Sequence, residues 1–120
     1  MYITEYISNE IKPGKFGYSP NQLLEVVQEN KLTHLPMFKG LDFIGNISEE
    51  DLIELSFENK TVDYTSYLEN FFLTDSSTLL DAIQMMYTKQ ANILPIINEQ
   101  SKYLGSITET DIISTFANFP

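Results

Sequence analysis

The sequence predicts a mixed α/β fold made of two copies of one unit, and three observations carry this prediction. First, the segments FIGNISEEDLIEL (Phe43 to Leu55) and YLGSITETDIISTF (Tyr103 to Phe116) share an apolar run, a glycine, a strand-like triplet and a hydroxyl residue that precedes an aspartate by three positions. Second, the two aspartates lie 60 positions apart. Third, a Leu-Pro pair precedes each segment, at Leu35-Pro36 and Leu94-Pro95. The chain is therefore predicted to be a tandem repeat.

The first copy is predicted to contain a helix, two strands and a second helix. Ser19-Pro20-Asn21-Gln22 supplies a hydroxyl N-cap, a proline at the first helical position and a glutamine at the third. The apolar face of this helix is formed by Leu23, Leu24, Val26 and Val27. A buried strand follows around Pro36, which is expected at a strand start or a bulge. A turn at Lys39-Gly40 leads into a second strand at Phe43 to Ile47.

The second helix of this copy starts at Ser48, and the second copy repeats the same order. The side chains predicted to be buried on the Ser48 helix are Leu52, Ile53, Leu55 and Phe57. In the second copy, the buried face of the first helix comprises Leu79, Ala82, Ile83, Met85 and Met86. Strands at Ile93 to Ile97 and Tyr103 to Ile107 precede a last helix from Thr108 to Phe119, and a short lead-in helix is predicted over Tyr2 to Ile11. The predicted boundaries are 1–58 for the first repeat, 59–66 for a polar linker and 67–120 for the second repeat.

The acidic composition of the chain limits which nucleic acids and phosphate ligands it can bind. The chain has 17 acidic residues and seven lysines, a net charge of -10 and no arginine. No basic stripe is present to neutralise nucleic-acid phosphates, so we expect no DNA or RNA partner. Without arginine, a bidentate guanidinium contact to phosphate is unavailable within one chain. Any phosphate contact must therefore use lysine, His34 or the backbone.

Enzyme activity is disfavoured by the shortage of reactive side chains. Cysteine is absent and His34 is the single histidine, so nucleophile and base pairs are scarce. Glu49, Glu50 and Asp51 read as a solvated first helical turn that favours the helix dipole. We expect a non-catalytic protein that requires no cofactor and has no diagnostic metal site. The sequence shows no signal peptide and no apolar stretch of about 18 residues, so we expect a cytoplasmic location and no membrane partner.

The two copies resemble the cystathionine-β-synthase (CBS) domain, which occurs in tandem pairs as a regulatory module. The residues that carry the resemblance are LPMF and LPII, followed by GNISEED and GSITETD. The chain is also similar to short acetoin-utilisation-type CBS proteins, in which more chain can follow the pair. The resemblance implies two β-α-β-β-α-like repeats packed sheet to sheet about a pseudo-twofold axis, with two clefts for adenosine-containing ligands.

The resemblance also implies the residues of the two clefts. Asp51 and Asp111 would accept hydrogen bonds from ribose hydroxyls, and Ser48 and Thr108 would contact a phosphate or ribose near a helix N-terminus. His34 occupies a position where a phosphate-facing basic side chain is common in the family, whereas its counterpart is Ile93. The apolar side chains that would line the base are Ile47, Ile107, Met37 and Ile96. The predicted function is a regulatory sensor that binds AMP or another adenosine derivative.

A structural interpretation stands beside each functional one. A hydroxyl residue three positions before an acidic residue is also a capping-box arrangement, so Asp51 and Asp111 are explained either by ligand contact or by capping. His34 is explained either by ligand contact or as a structural residue. The alternative function is a ligand-free dimerisation module that uses the same fold for assembly.

Two further expectations concern assembly and binding. We expect a homodimer through the Leu23 to Val27 and Leu52 to Phe57 helices and their equivalents in the second copy. Because only one histidine exists, we expect one strong nucleotide site per chain at most, strengthening as the pH falls through the histidine titration near roughly 6.5.

Overall fold

Two repeats of the same element order form the chain. The computed structural model describes residues 3, 7, 11–58 and 63–117. The first repeat consists of β1 (Gly14–Lys15), α1 (Pro20–Glu29), β2 (His34–Lys39), β3 (Asp42–Ser48) and α2 (Glu49–Ser56). The second consists of β4 (Leu73–Thr74), α3 (Leu79–Lys89), β5 (Ile93–Ile97), β6 (Tyr103–Thr108) and α4 (Glu109–Ala117), after a 3-10 turn at Thr65–Tyr67. The β-α-β-β-α order implied by the resemblance is confirmed.

Each repeat contains a three-stranded sheet. β1 runs parallel to β2, and β2 runs antiparallel to β3; β4, β5 and β6 repeat this arrangement. The predicted helices and the two longer strands of each copy are confirmed. The residue pattern alone did not reveal β1 and β4, because a two-residue strand has no measurable periodicity. Most of the helix predicted over residues 2–11, all but residues 3, 7 and 11, and the last two residues of the predicted final helix lie outside the described residues.

Pro36 lies inside β2, and not at a strand start or bulge as predicted. It pairs with Asn46 of β3, and the register shift follows between Met37 and Phe38. The Asn46 backbone N–H donates to the Glu69 carbonyl, and the Glu69 N–H donates to the Asn46 carbonyl, at 2.8 Å each. Both backbone groups of Asn46 are thus used by Glu69, so the Pro36–Asn46 pair is not hydrogen-bonded. The register with β1 begins at Met37. The absent proline N–H therefore costs the strand no hydrogen bond to β3.

Each repeat has its own apolar core, and each core takes side chains from outside its repeat. Leu23, Leu35 and Leu52 are fully buried in the first core, which Tyr64 also enters from the connecting segment. Ile3 is fully buried in the second core, and its backbone N–H donates to the Ser77 carbonyl at 3.1 Å. Ile3 near the N-terminus and the segment between the repeats thus tie the two repeats together.

Three side chains predicted to be buried are exposed. Phe57 lies at the end of α2 and is 82% exposed, while Ile53 and Ile83 are just over one-third exposed. Leu52 and Leu55 face the first core, and Ile53 follows Leu52 by one position, which turns it about 100° away on a helix. Periodicity identified these helices correctly but made their buried faces too wide.

The repeats pack sheet against sheet through equivalent elements, as expected for a pseudo-twofold axis. β2 contacts β5, and the rings of Phe38 and Tyr103 lie 4.4 Å apart between centroids. Asp42 and Lys102 form an ion pair at the same end of the interface. At the other end, Thr33 of the first repeat hydrogen-bonds Asn92 of the second.

Gly45 explains part of the repeated glycine signature. Its φ is +133°, and a Cβ placed there would lie 2.8 Å from the Leu68 Cβ. Only glycine allows the connecting segment to approach β3 this closely.

The helices in the described part of the chain are all too short or too polar to cross a membrane.

Candidate functional site

Two cavities occupy equivalent positions between the repeats. The first cleft has a volume of about 460 Å³ and is lined by Thr33, His34, Ser48, Glu49, Glu50, Asp51, Glu69, Lys89 and Gln90. The second cleft has a volume of about 420 Å³ and is lined by Ile11, Asn30, Lys31, Leu32, Asn92, Thr108, Glu109, Thr110, Asp111 and Ile113. Each combines the start of the second helix of one repeat with the end of the first helix of the other.

The backbone fixes this geometry in the same way in both clefts. Lys31 and Gln90 follow their helices with φ angles of +54° and +53°, which turn the chain sharply into the next strand. The start of α2 is held by a hydrogen bond from the Glu49 N–H to the Thr33 carbonyl, at 2.9 Å. The start of α4 is held in the same way by a hydrogen bond from the Glu109 N–H to the Asn92 carbonyl, also at 2.9 Å.

The two signature aspartates differ in their hydrogen bonding. The Thr108 hydroxyl accepts from the Asp111 N–H at 3.1 Å, and the Asp111 carboxylate accepts from the Thr108 N–H at 2.9 Å, which completes a capping box. The Ser48 hydroxyl likewise accepts from the Asp51 N–H at 3.1 Å. Within residues 11–58 and 63–117, however, no group donates a hydrogen bond to the Asp51 carboxylate. Asp111 thus serves as a cap, whereas the residues that the structure describes leave the Asp51 carboxylate open.

His34 lies in the first cleft and is 6% exposed. Its Nε2 is 3.1 Å from a Glu69 carboxylate oxygen, and its Nδ1 is 2.9 Å from the Thr33 hydroxyl. The Phe71 ring packs edge-on at 5.3 Å. Burial lowers the pKa of His34 below its usual value near 6.5, against the opposing effect of the Glu69, Asp51 and Glu50 carboxylates. Its ring is therefore already paired within the protein.

The first cleft is strongly acidic. Its lining includes four carboxylates, from Glu49, Glu50, Asp51 and Glu69, against one lysine, Lys89. The second cleft has two carboxylates and one lysine, Lys31. A polyphosphate entering the first cleft would meet like charges in partly desolvated surroundings, which is unfavourable.

The predicted site residues fall into three groups. Ser48, Asp51 and His34 are brought together in the first cleft, and Thr108 and Asp111 in the second. The four apolar residues, Ile47, Met37, Ile107 and Ile96, are fully buried in the two cores and line neither cleft. Their contact with a base stays a prediction.

The cleft residues that the sequence reasoning missed include Lys89, Gln90, Lys31 and Glu69. Lys89-Gln90 and Asn30-Lys31 lie 59 positions apart, so the repeat offset marks them as equivalent. Their position opposite the signature aspartates follows only from the packing of one repeat on the other. Glu69 gave no such signal, because its contact to His34 spans 35 positions.

Comparison with known proteins agrees with this architecture. Residues 67–118 match the family model of the CBS domain. No curated protein sequence matches the chain. A CBS domain pair/ACT domain protein from Thermotoga maritima superposes with a TM-score of 0.81 at 14% identity, covering 98% of this chain and 97% of that protein.

Two further similar structures contain a nucleotide. The structure of CBSX2 in complex with AMP has a TM-score of 0.78 at 19% identity and covers 97% of this chain and 96% of that one. The CBS domain of a bacterial CNNM/CorC family Mg²⁺ transporter in complex with ATP has a TM-score of 0.73 at 15% identity, covering 100% and 89%. At these identities the similarity establishes the fold. The second repeat matches the CBS domain model, and the whole chain has the fold of a tandem CBS domain pair.

Proposed function

We propose that the protein is a non-catalytic regulatory module that binds an adenosine-containing ligand of low charge, such as AMP, in the first cleft. The observation that carries the proposal is the open Asp51 carboxylate at the edge of a cavity of about 460 Å³. An ionised carboxylate accepts hydrogen bonds only, and a ribose offers two adjacent hydroxyl donors. Nucleotides bound to CBSX2 and to the CNNM/CorC domain support the class of ligand.

The remaining lining of the first cleft suits the rest of such a ligand. In the first turn of α2 the Glu49 N–H donates to the Thr33 carbonyl and the Asp51 N–H to the Ser48 hydroxyl, so a single phosphate beside Ser48 would be favoured chiefly by the helix dipole. Lys89 supplies one positive charge from α3 of the other repeat. Because burial lowers the pKa of His34, the ring is expected to help with a phosphate only below about pH 6.5, where it becomes protonated.

A thermal-shift screen with AMP, ADP, ATP, S-adenosylmethionine and NAD tests the proposal directly. A ligand present at 100 times its dissociation constant stabilises the folded state by about 2.7 kcal/mol. We expect AMP to raise the melting temperature of the wild type and to have a much smaller effect on Asp51→Ala. No shift with any of the five compounds would refute ligand binding of this class.

The second candidate function is assembly without ligand, and a groove between α3 and α4 favours it. The groove has a volume of about 550 Å³ and is lined chiefly by apolar side chains, including Ile83, Met86, Ile113 and Phe116. α1 and α2 pack closely against each other, whereas α3 and α4 lie apart. A second copy of the chain is the occupant that this reading requires, in a self-complementary twofold contact.

A further inference from the structure

The Thr33 hydroxyl lies between two groups that belong to different repeats. On one side is Nδ1 of His34, at 2.9 Å. On the other is the side-chain oxygen of Asn92, at 3.2 Å. The hydroxyl oxygen also accepts a hydrogen bond from the Asn92 backbone N–H at 2.9 Å. A hydroxyl group has one hydrogen, so it can donate to His34 or to Asn92 but not to both.

Glu69 decides which nitrogen of neutral His34 carries the hydrogen. Its carboxylate oxygen lies 3.1 Å from Nε2, and an ionised carboxylate can only accept. Nε2 must therefore carry the hydrogen while Glu69 is ionised. In the neutral imidazole Nδ1 is then an acceptor, and the Thr33 hydroxyl donates to it.

Protonation of His34 reverses this direction. Nδ1 gains a hydrogen from solvent and donates to the Thr33 oxygen, which releases the hydroxyl hydrogen for Asn92. We propose that His34 is a proton-controlled switch of the contact between the two repeats, in which the protonated ring turns the Thr33 hydroxyl from His34 to Asn92. The protonated state thus has one hydrogen bond more across the interface.

The charged groups around His34 determine what operates the switch. The carboxylates of Glu69, Glu50 and Asp51 favour the protonated ring, while burial opposes it. Lys89 lines the same cleft from α3 and adds a positive charge, and Glu49 lines it from α2. Acidification is the direct trigger, and the device needs no ligand, so it goes beyond the proposed function.

The contact leads from the first cleft to the second. His34 and Thr33 line the first cleft, and Asn92 lines the second. The Asn92 side-chain NH2 also donates to the Lys31 carbonyl at 2.8 Å, and the Asn92 backbone carbonyl accepts from the Glu109 backbone N–H at the start of α4. A change in the hydrogen bonding of Asn92 is therefore expected to reach both walls of the second cleft.

Nitrogen-15 NMR of the ligand-free protein tests the switch, because the single histidine makes its ring signals unambiguous. Near pH 8 we expect the neutral tautomer with its hydrogen on Nε2. On titration to about pH 5, the Asn92 side-chain and Thr33 backbone amide signals should shift with the same midpoint as the imidazole. A neutral ring with its hydrogen on Nδ1, or Asn92 signals that do not follow the ring, would overturn the proposal.

A matched pair of variants separates the hydroxyl from simple electrostatics. Thr33→Val keeps the shape but removes the hydroxyl, so the ring should still titrate while the Asn92 side-chain response is lost. Thr33→Ser keeps the hydroxyl and should retain the response. An equal response in Thr33→Val would show that the charge of the ring acts through space, which would contradict the proposal. If Thr33→Val does not fold, the tautomer and midpoint measured on the wild type and Thr33→Ser still decide the result.

Discussion

At the scale of single residues, the two signature aspartates have different tasks despite their equivalent positions. The Asp111 carboxylate is held by the Thr108 backbone N–H and closes the first turn of α4. The Asp51 carboxylate faces the first cleft without such a bond in the described part of the chain. The same short motif thus provides a helix cap in one repeat and a candidate ligand contact in the other.

Replacing each aspartate by alanine should separate these tasks without any ligand. Both variants lose a negative charge at a helix N-terminus, but only Asp111→Ala also loses a capping hydrogen bond, worth about 1 kcal/mol. We expect Asp111→Ala to be the less stable variant by about 1 kcal/mol in urea denaturation. Equal stability of the two variants would show that the capping difference has no energetic weight.

The buried His34 predicts how stability depends on pH. Because its pKa is lowered in the folded protein, the unfolded chain takes up a proton near pH 6.5 before the folded protein does. The contribution of His34 to stability is thus present above about pH 6.5 and is lost as the pH falls through the folded pKa. The free energy of unfolding should fall more between about pH 7.5 and pH 5.5 in the wild type than in His34→Gln. An equal or smaller fall in the wild type would contradict a lowered pKa.

At the scale of the helices, small differences in sequence explain why the repeats pack differently. Ala82 of α3 stands where α1 has Leu23, and Thr115 of α4 stands where α2 has Leu55. The Thr115 hydroxyl donates to the Asp111 carbonyl and so stays on its own helix. With less apolar volume between them, α3 and α4 leave a groove, whereas α1 and α2 close together.

This groove makes the homodimer prediction more specific. Leu23, Val27 and Leu52, which belong to the predicted contact surface, are buried in the first core. Phe116 is 57% exposed at the groove, so Phe116→Glu should place a charge in the contact and yield monomers. Leu41→Glu is the matched control, because Leu41 is 75% exposed in the turn between β2 and β3, away from the groove.

Sedimentation at micromolar concentration measures the result. We expect a dimer for the wild type and Leu41→Glu, and a monomer for Phe116→Glu. A monomeric wild type would remove the assembly proposal. A dimeric Phe116→Glu would place the contact elsewhere.

The helices and strands also show how much of the fold could be predicted from the sequence. The repeat offset and the caps located the helices and the two long strands of each copy, because these signals are local. Ser19 and Gln22, for example, form the predicted capping box. The Glu69 contact and the burial of Ile3 in the second core depend on packing between distant segments, which leaves no local pattern. The open state of Asp51 is likewise invisible in a motif that both repeats share.

At the scale of the whole molecule, charge should decide among adenosine ligands. The chain has a net charge of -10, and the first cleft contributes four carboxylates against Lys89. Each added phosphate increases the repulsion, so AMP should bind more tightly than ATP in the absence of Mg²⁺. Tenfold tighter binding of metal-free ATP, measured by calorimetry, would refute this electrostatic argument.

The central claim is a single adenosine site in the first cleft, anchored by Asp51. Calorimetric titration of AMP into the wild type, Asp51→Ala and Asp111→Ala tests it most directly. Hydrogen bonds to a charged group contribute about 1.5 to 3 kcal/mol, so we expect one site per chain, weakened about tenfold or more in Asp51→Ala and little changed in Asp111→Ala. Two equal sites per chain, or a loss of binding in Asp111→Ala with normal binding in Asp51→Ala, would contradict the account.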